Sequence, residues 1–312
     1  MAVTAAMVKE LREMTGAGMM DCKKALTETD GDMDKAVDYL REKGLAGAQK
    51  KAGRIAAEGI VKTAVSPCGK KAVIVEVNSE TDFVAKNEKF QSYVAEVAEQ
   101  LLNSDVEDLE SFMAMPWTLD PSITVKEKLS SMISVIGENM NIRRFARMSV
   151  EEGMIASYIH MGGKIGVLVK VESDVVNDEI AEIGKNVAMQ TAALKPLFCS
   201  DKEVPADYIA REKEILFAQI ENDPKEAAKP DKVKQGMVMG RINKEMKEIC
   251  LLDQVYVKAE DGKQSVSSYV AEAAKAAGAK ACVTAFLRFE TGEGLQKKEE
   301  DFAAEVAKQM GN

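Results

Sequence analysis

The chain has 312 residues, 46% of them hydrophobic, which is enough for more than one sizeable core. Its 42 basic and 51 acidic residues give a formal net charge of −9, which argues against a protein that holds nucleic acid with its whole surface. One histidine and five scattered cysteines argue against a zinc site, and no apolar run is long enough to cross a membrane. We therefore expect a cytoplasmic protein with reduced thiols and neither a membrane nor a nucleic-acid partner.

The first 44 residues predict three short helices. Apolar residues recur at helical spacing over 5–14, 19–28 and 33–43; Thr4 is suited to cap the first helix, and Gly44 is expected to end the third. The next stretch, GLAGAQKKAGRIAAEG, is small, basic and interrupted by glycine, which is typical of a hinge or a partly helical linker. We predict a three-helix N-terminal domain with its linker over residues 1–54.

A β-rich core is predicted to follow. From Ile60 the pattern changes to β-branched residues with a period of two, which indicates a hairpin with strands at 60–65 and 72–77. Three helices are then predicted, at 86–102, 106–115 and 125–136. These elements make up a first core subdomain over residues 55–149.

The core contains an internal repeat. Gly153 follows Gly59 at an offset of 94 positions (153 minus 59), and the hairpin glycine and the return strand recur at the same offset. A second hairpin is therefore expected, with a long helix after it at 178–194. This predicts a second core subdomain over residues 150–203, similar to the first.

The last third is predicted to be mostly helical. Charged helices over 205–222 and 232–249 flank the proline-bounded turn DPKEAAKPD, so residues 204–250 suggest an antiparallel helical hairpin, either a projecting interaction arm or a pair packed flat on its domain. After it we predict a strand at 255–258, a helix at 265–277 and a strand at 282–290 that rejoins the core, so that residues 251–291 complete the second subdomain. A helix at 299–310 belongs to a C-terminal module, 292–312. The fold class is α+β.

A search for catalytic chemistry finds little. The phosphate-binding patterns G-x-x-x-x-G-K-[ST] and G-x-G-x-x-G do not occur, so we expect no direct nucleotide binding and no cofactor. The single histidine, His160, lies near a hairpin turn without a paired nucleophile, so no catalytic residue is assigned. The basic pairs Lys50-Lys51 and Arg143-Arg144 are either local contact points or, the interpretation we favour, solvated faces.

The connection after the first return strand, NSETDFVAKN at 78–87, is the most informative segment. Its counterpart in the repeat, ESDVV at 172–176, has no aspartate-aromatic pair, so the two copies differ where function often lies. Asp82 and Phe83 could present a charged and an apolar group together. Alternatively, Phe83 lies seven residues before Phe90 and could extend the apolar stripe of the following helix, with Thr81 or Asp82 as its N-cap.

Several motifs resemble one known family. They are TDFVAKN at 81–87, LREMTGAGMMDCKKAL at 11–26, GENMNIRR at 137–144, the segment 158–169, and LRFE with GEG at 287–294. Together they span essentially the whole chain in order, and they are similar to the elongation factor Ts family. The resemblance implies a ubiquitin-associated-type N-terminal domain, a two-subdomain core, a projecting helical hairpin and a C-terminal module.

The resemblance also implies a function. The expected partner is the GTPase elongation factor Tu, from which the chain would promote GDP release as a guanine-nucleotide exchange factor, without catalysing a chemical reaction. Thr81, Asp82, Phe83 and Val84 would disturb the GTPase near its magnesium site; further partner contacts would be Arg12, Met19, Met20, Ile142 and His160. A scaffold that holds the GTPase without speeding exchange is the second hypothesis, and an enzyme with an unrecognised site the third. A homodimer or a 2:2 complex is left open.

Overall fold

The computed structural model describes residues 3–296, where helices combine with antiparallel sheets, so the α+β class is confirmed. The helices are α1 (Ala5–Thr15), α2 (Met19–Glu28), α3 (Met33–Lys51), α4 (Asp82–Ala85), α5 (Glu88–Leu102), α6 (Leu109–Ala114), α7 (Val125–Ile136), α8 (Asp178–Leu194), α9 (Ala206–Asn222), α10 (Pro224–Ala227), α11 (Asp231–Ile249) and α12 (Val266–Ala276). The strands are β1 (Glu58–Val65), β2 (Lys71–Ser79), β3 (Pro116–Trp117), β4 (Asp120–Thr124), β5 (Met140–Ser149), β6 (Met154–His160), β7 (Ile165–Ser173) and β8 (Ala281–Glu290). The helix predicted at 299–310 lies outside the described residues.

The N-terminal helices pack around a small core of their own. The Thr4 side chain accepts a hydrogen bond from the Met7 amide and caps α1, and Gly16 ends that helix in the left-handed conformation (φ 68°). The buried residues come from all three helices: Val8, Leu11, Cys22, Ala25, Leu26 and Ala36. The predicted helices at 5–14 and 19–28 are confirmed.

The third helix is longer than predicted. Gly44 does not end it, and α3 runs on to Lys51, through the stretch that was interpreted as a hinge. Gly44 is buried where α3 lies against α7; a Cβ at this position would be 3.8 Å from the Ser130 carbonyl oxygen and from Ser134 Cβ. Close packing of two helices therefore compensates the low helix propensity of glycine. Arg41 adds a hydrogen bond from α3 to Ser122 on β4, the strand that precedes α7.

The first sheet has the strand order β1-β2-β5, and α5 and α7 contribute to its core. The hairpin was predicted, but β5 and the short β3–β4 hairpin were not. The helix predicted at 86–102 is confirmed, but it starts two residues later, at Glu88, because Asn87 accepts hydrogen bonds from the Lys89 and Phe90 amides and caps it there. Helix 125–136 is confirmed at both ends, with a Thr124–Glu127 capping box and left-handed Gly137.

The second sheet, β6-β7-β8, is built like the first. The register shifts between Glu76 and Val77 in the first sheet and between Lys170 and Val171 in the second, again 94 positions apart (170 minus 76). Gly59 and Gly153 both have positive φ (126° and 115°), and a Cβ on either would lie 2.1–2.2 Å from a carbonyl oxygen of the neighbouring strand. The strand at 282–290 rejoins the core as predicted, and helix 178–194 is confirmed.

The two sheets face each other through a shared apolar cluster. Its buried members are Val61, Ala72, Ile74, Met148, Val150, Ile155 and Leu168. At Gly166 on β7 the approach is so close that a Cβ would lie 2.4 Å from Val61 Cγ1. This contact fixes the β6–β7 hairpin against β1.

The region between α8 and β8 differs in one respect from the prediction. α9 and α11 share a small cluster of Ile220, Val238 and Ile242. The strand predicted at 255–258 is wrong, because Val255 makes only an isolated bridge to Ser265. The buried Gln190 side chain takes up the backbone groups of this segment: it donates to the Val255 carbonyl and accepts from the Val257 amide.

The pair Arg143-Arg144 was interpreted as a solvated face, and this is wrong. Both guanidinium groups bond the fully buried Glu76 carboxylate, Arg143 at 3.0 Å and Arg144 at 2.6 Å, and the Gly292 amide donates to the same carboxylate. Burying a carboxylate requires this degree of pairing. The network joins β2 and β5 to the turn after β8.

Within residues 3–296 no helix combines the length and the apolar character needed to span a membrane.

Candidate partner-binding site

Phe83 lies on the one-turn helix α4 and points into solvent. Its side chain is 80% exposed, more than any other large apolar side chain between residues 3 and 296, whereas the next two residues, Val84 and Ala85, are buried in the first core. The alternative in which Phe83 extends the core stripe is therefore wrong. Burying an aromatic ring is favourable, so an exposed ring on an anchored turn is typical of a binding site.

The α4 turn is held from below by hydrogen bonds. Thr81 is its N-cap and accepts from the Val84 amide. The Thr81 amide and hydroxyl both donate to the Glu138 carboxylate, at 3.0 and 2.7 Å. On the preceding residue, the Glu80 carboxylate accepts from the Asn139 amide. The turn between α7 and β5, residues 137–139, is thus the support of the α4 turn.

Asp82 places a negative charge beside the exposed ring. A hydrogen bond from Lys86 (2.6 Å) lowers the pKa of Asp82, and the charge of Lys164 lowers it further. Asp82 is therefore ionised at neutral pH. The Lys86 ammonium lies 5.9 Å from the centre of the Phe83 ring. The turn presents an apolar ring flanked by an ion pair.

The hairpin turn of the second sheet lies next to this site. Lys164, which follows the turn Met161–Gly163, pairs with Glu58 on β1 and is near enough to Asp82 to affect its pKa. Gly163 is packed against Ile60, where a Cβ would be 2.8 Å from Ile60 Cβ. The packing of the two sheets therefore brings a part of the second subdomain beside α4.

His160, at the end of β6, is half-buried, and its Nδ1 lies 2.9 Å from the Tyr158 hydroxyl oxygen. The next residue, Met161, is 73% exposed and has a positive φ of 48°. Part of the imidazole remains accessible, so a partner contact at His160 is compatible with its position.

The predicted N-terminal contacts are on the surface of the three-helix unit. Arg12 is exposed on α1, and Met19 and Met20, at the start of α2, are 58% and 74% exposed. Two neighbouring exposed methionines form an adaptable apolar patch. This patch belongs to a different unit from α4, so the structure does not gather all predicted contacts into one cluster.

Ile142 does not fit the contact role predicted for it. It lies on β5 opposite Val77, is only 4% exposed and packs in the first core. A partner cannot reach this side chain while the sheet is intact. Its contribution is to the core beneath the site.

Sequence reasoning did not assign roles to Glu80, Glu138 and Asn139, which support the α4 turn. The last two belong to the GENMNIRR motif that was noted at 137–144. The signal was therefore present, but a separation of 57 positions between Thr81 and Glu138 gives no hint of contact.

Comparison with known proteins decides the family. A family model described as Elongation factor TS matches residues 80–293. The chain belongs to the elongation factor Ts family. It is 54% identical over 309 residues to elongation factor Ts of Clostridium perfringens strain SM101, with 99% of each chain covered. It is 51% identical over 315 residues to that of Trichlorobacter lovleyi, covering 100% of this chain and 99% of the other.

Membership of the elongation factor Ts family gives the chain a role in the elongation step of protein synthesis. The family implies nucleotide exchange on elongation factor Tu and not the catalysis of a chemical reaction.

Proposed function

We propose that the chain speeds GDP release from elongation factor Tu by inserting Phe83, with Asp82 beside it, next to the magnesium site of the GTPase. The observation that carries this proposal is the 80% exposure of Phe83 on a turn whose following residues are buried. Thr81 and Val84 take part by fixing the turn from either side of the ring. No group of the chain has to act as an acid, a base or a nucleophile.

The physical basis is linkage between two ligands of one GTPase. A factor that binds the nucleotide-free GTPase better than the GDP-bound form weakens GDP binding by the same ratio. Burying a phenylalanine side chain contributes about 1.5–3 kcal/mol, which is in the range of typical coupling free energies. If the ring finds its pocket only after the magnesium and phosphate contacts have been displaced, this burial energy favours release.

Further contacts would give affinity and orientation. We assign them to Arg12, Met19 and Met20 on the three-helix unit and to His160 at the hairpin end, whose side chains are exposed or half-buried. The helices α9 and α11, within the proposed arm 204–250, would provide another docking element. Ile142 is not included, for the reason given above.

The test follows the release of fluorescent GDP from elongation factor Tu in excess unlabelled GDP. The native chain should accelerate release strongly, and Phe83→Ala should lose about tenfold or more of that acceleration. Leu119→Ala is the matched control, because Leu119 is 70% exposed on the β3–β4 turn and should behave like the native chain.

Binding of the nucleotide-free GTPase is measured in parallel. If the native chain bound the GTPase but left GDP release unchanged, exchange would be ruled out and the scaffold hypothesis would replace it. If Phe83→Ala and Leu119→Ala were both as active as the native chain, exchange would not depend on the exposed ring.

A further inference from the structure

The α4 helix is too short to be stable without support from the rest of the protein. It has four residues, and an isolated helical turn of this length is unstable in water because fixing the first turn costs more than its hydrogen bonds return. Phe83 adds little packing, since most of its ring is in solvent. The orientation of the ring must therefore be set by the residues around the turn.

Glu138 lies where it can set the orientation of the Phe83 ring. Its carboxylate receives both donors of Thr81, the amide at Oε2 and the hydroxyl at Oε1. A hydroxyl has one proton to donate, so once this proton points to Glu138 the oxygen lone pairs are free to accept from the Val84 amide. The bond to Glu138 thus aligns the N-cap of the helix that carries Phe83.

The support of Glu138 is itself rigid. α7 ends at Gly137 in the left-handed conformation (φ 91°), which directs the chain towards α4. The next residue but one, Asn139, is 2% exposed; its amide donates to Glu80, and its side chain donates to the Arg54 carbonyl. The α7–β5 turn is therefore fixed both to the segment that contains Glu80 and to the segment that contains Arg54.

We propose that Glu138 is a positioning residue for nucleotide exchange: it holds the α4 turn so that Phe83 has its binding orientation before the GTPase arrives. This rests on the proposed function of Phe83. The advantage is preorganisation, because free energy from burying the ring is then not consumed in ordering the turn. Glu138 acts through Phe83 and needs no contact with the partner.

The chain contains a matched control for a purely structural role. At the other end of α7, the Glu127 carboxylate accepts from the Thr124 amide (2.7 Å) and hydroxyl (2.9 Å), the same pair of donors that Thr81 offers to Glu138. Glutamine offers one acceptor oxygen in place of two. Glu138 accepts its two bonds on different oxygens, so Glu138→Gln loses one of them, whereas both Thr124 donors bond Glu127 Oε2, so Glu127→Gln can keep both and removes only the charge. We expect both variants to stay folded, with the smaller loss of stability in Glu127→Gln.

The first test uses the free protein and does not involve the GTPase. The nine phenylalanines are replaced by 4-fluorophenylalanine, and the fluorine resonance of residue 83 is assigned with Phe83→Leu. Glu138→Gln should shift or broaden this resonance, and Glu127→Gln should leave it unchanged. An unchanged resonance in Glu138→Gln would overturn the positioning role and leave the proposed function of Phe83 intact.

The second test is a double-mutant cycle on GDP release. Glu138→Gln should reduce the acceleration about fivefold, as expected for one lost hydrogen bond to a charged group. In the Phe83→Ala background the same substitution should have almost no effect, because the ring that it positions is gone. An equal loss in both backgrounds, or an equal loss for Glu127→Gln, would overturn the inference. Failure of Phe83→Ala itself to slow release would count against the proposed function instead.

Discussion

Glu76 is a fully buried carboxylate whose charge is balanced by Arg143 and Arg144. Glu76→Gln removes that charge, which leaves the Arg143 guanidinium without its counter-ion and Arg144 with only Glu293. We expect a loss of about 3 kcal/mol in the free energy of unfolding, because breaking one side of a buried ion pair leaves an uncompensated charge. Urea denaturation monitored by circular dichroism measures the change.

The control at the residue scale is Glu58→Gln. Glu58 also pairs with a cation, Lys164, but both side chains are about a third exposed (31% and 41%), so the pair should contribute less than about 1 kcal/mol. Equal losses in the free energy of unfolding for the two substitutions would show that burial does not strengthen the contribution of the Glu76 ion pairs.

At the scale of one element, Gly44 shows why α3 continues past a glycine. We expect Gly44→Leu to lower the free energy of unfolding by about 1–3 kcal/mol, because the larger side chain would force α3 away from α7. Gly47→Leu is the matched change in the same helix, since a Cβ at Gly47 meets nothing within 4 Å. It should be neutral or stabilising, as leucine has the higher helix propensity. Thermal and urea unfolding of both variants compare the two sites.

A smaller side chain at position 44 should raise the free energy of unfolding instead of lowering it. Gly44→Ala adds only a Cβ, which would make ordinary contacts at 3.8 Å, and it gains helix propensity of about 1 kcal/mol. We expect a stabilised protein. A destabilised Gly44→Ala would mean that the two helices are packed too closely even for a methyl group.

At the scale of the whole molecule, the contact between the two sheets depends on Gly166. A Cβ there would lie 2.4 Å from Val61 Cγ1 and 3.3 Å from Ile74 Cδ1, on the opposite sheet. Gly166→Ala should therefore cost about 1–3 kcal/mol of stability by overpacking the interface. Gly236→Ala on α11, where a Cβ meets nothing within 4 Å, is the control and should not destabilise the chain. Urea unfolding of both variants decides the matter; equal stability would mean that the sheets can separate slightly without cost.

Local patterns in the sequence were sufficient for much of the fold. Helix 125–136 was predicted to the residue, since its capping Thr124 and terminal Gly137 act on neighbouring backbone groups. The second hairpin and α8 could be predicted as well, because the glycines and strand residues of the first hairpin recur at a fixed offset of 94 positions. TDFVAKN likewise marked the site, because the motif is contiguous.

The features that the sequence did not reveal depend on contacts between distant segments. Strand β5 was missed, and α3 was ended too early, because pairing with β2 and packing against α7 outweigh local propensity there. Phe83 could be placed in solvent only when the core beneath it was known to be filled by Val84 and Ala85. The support from Glu138 joins positions 57 apart, a separation that only the tertiary structure closes. Composition, local spacing and motifs thus determined the elements, the family and the position of the site, whereas long-range packing decided which side chains face the partner and which hold them in place.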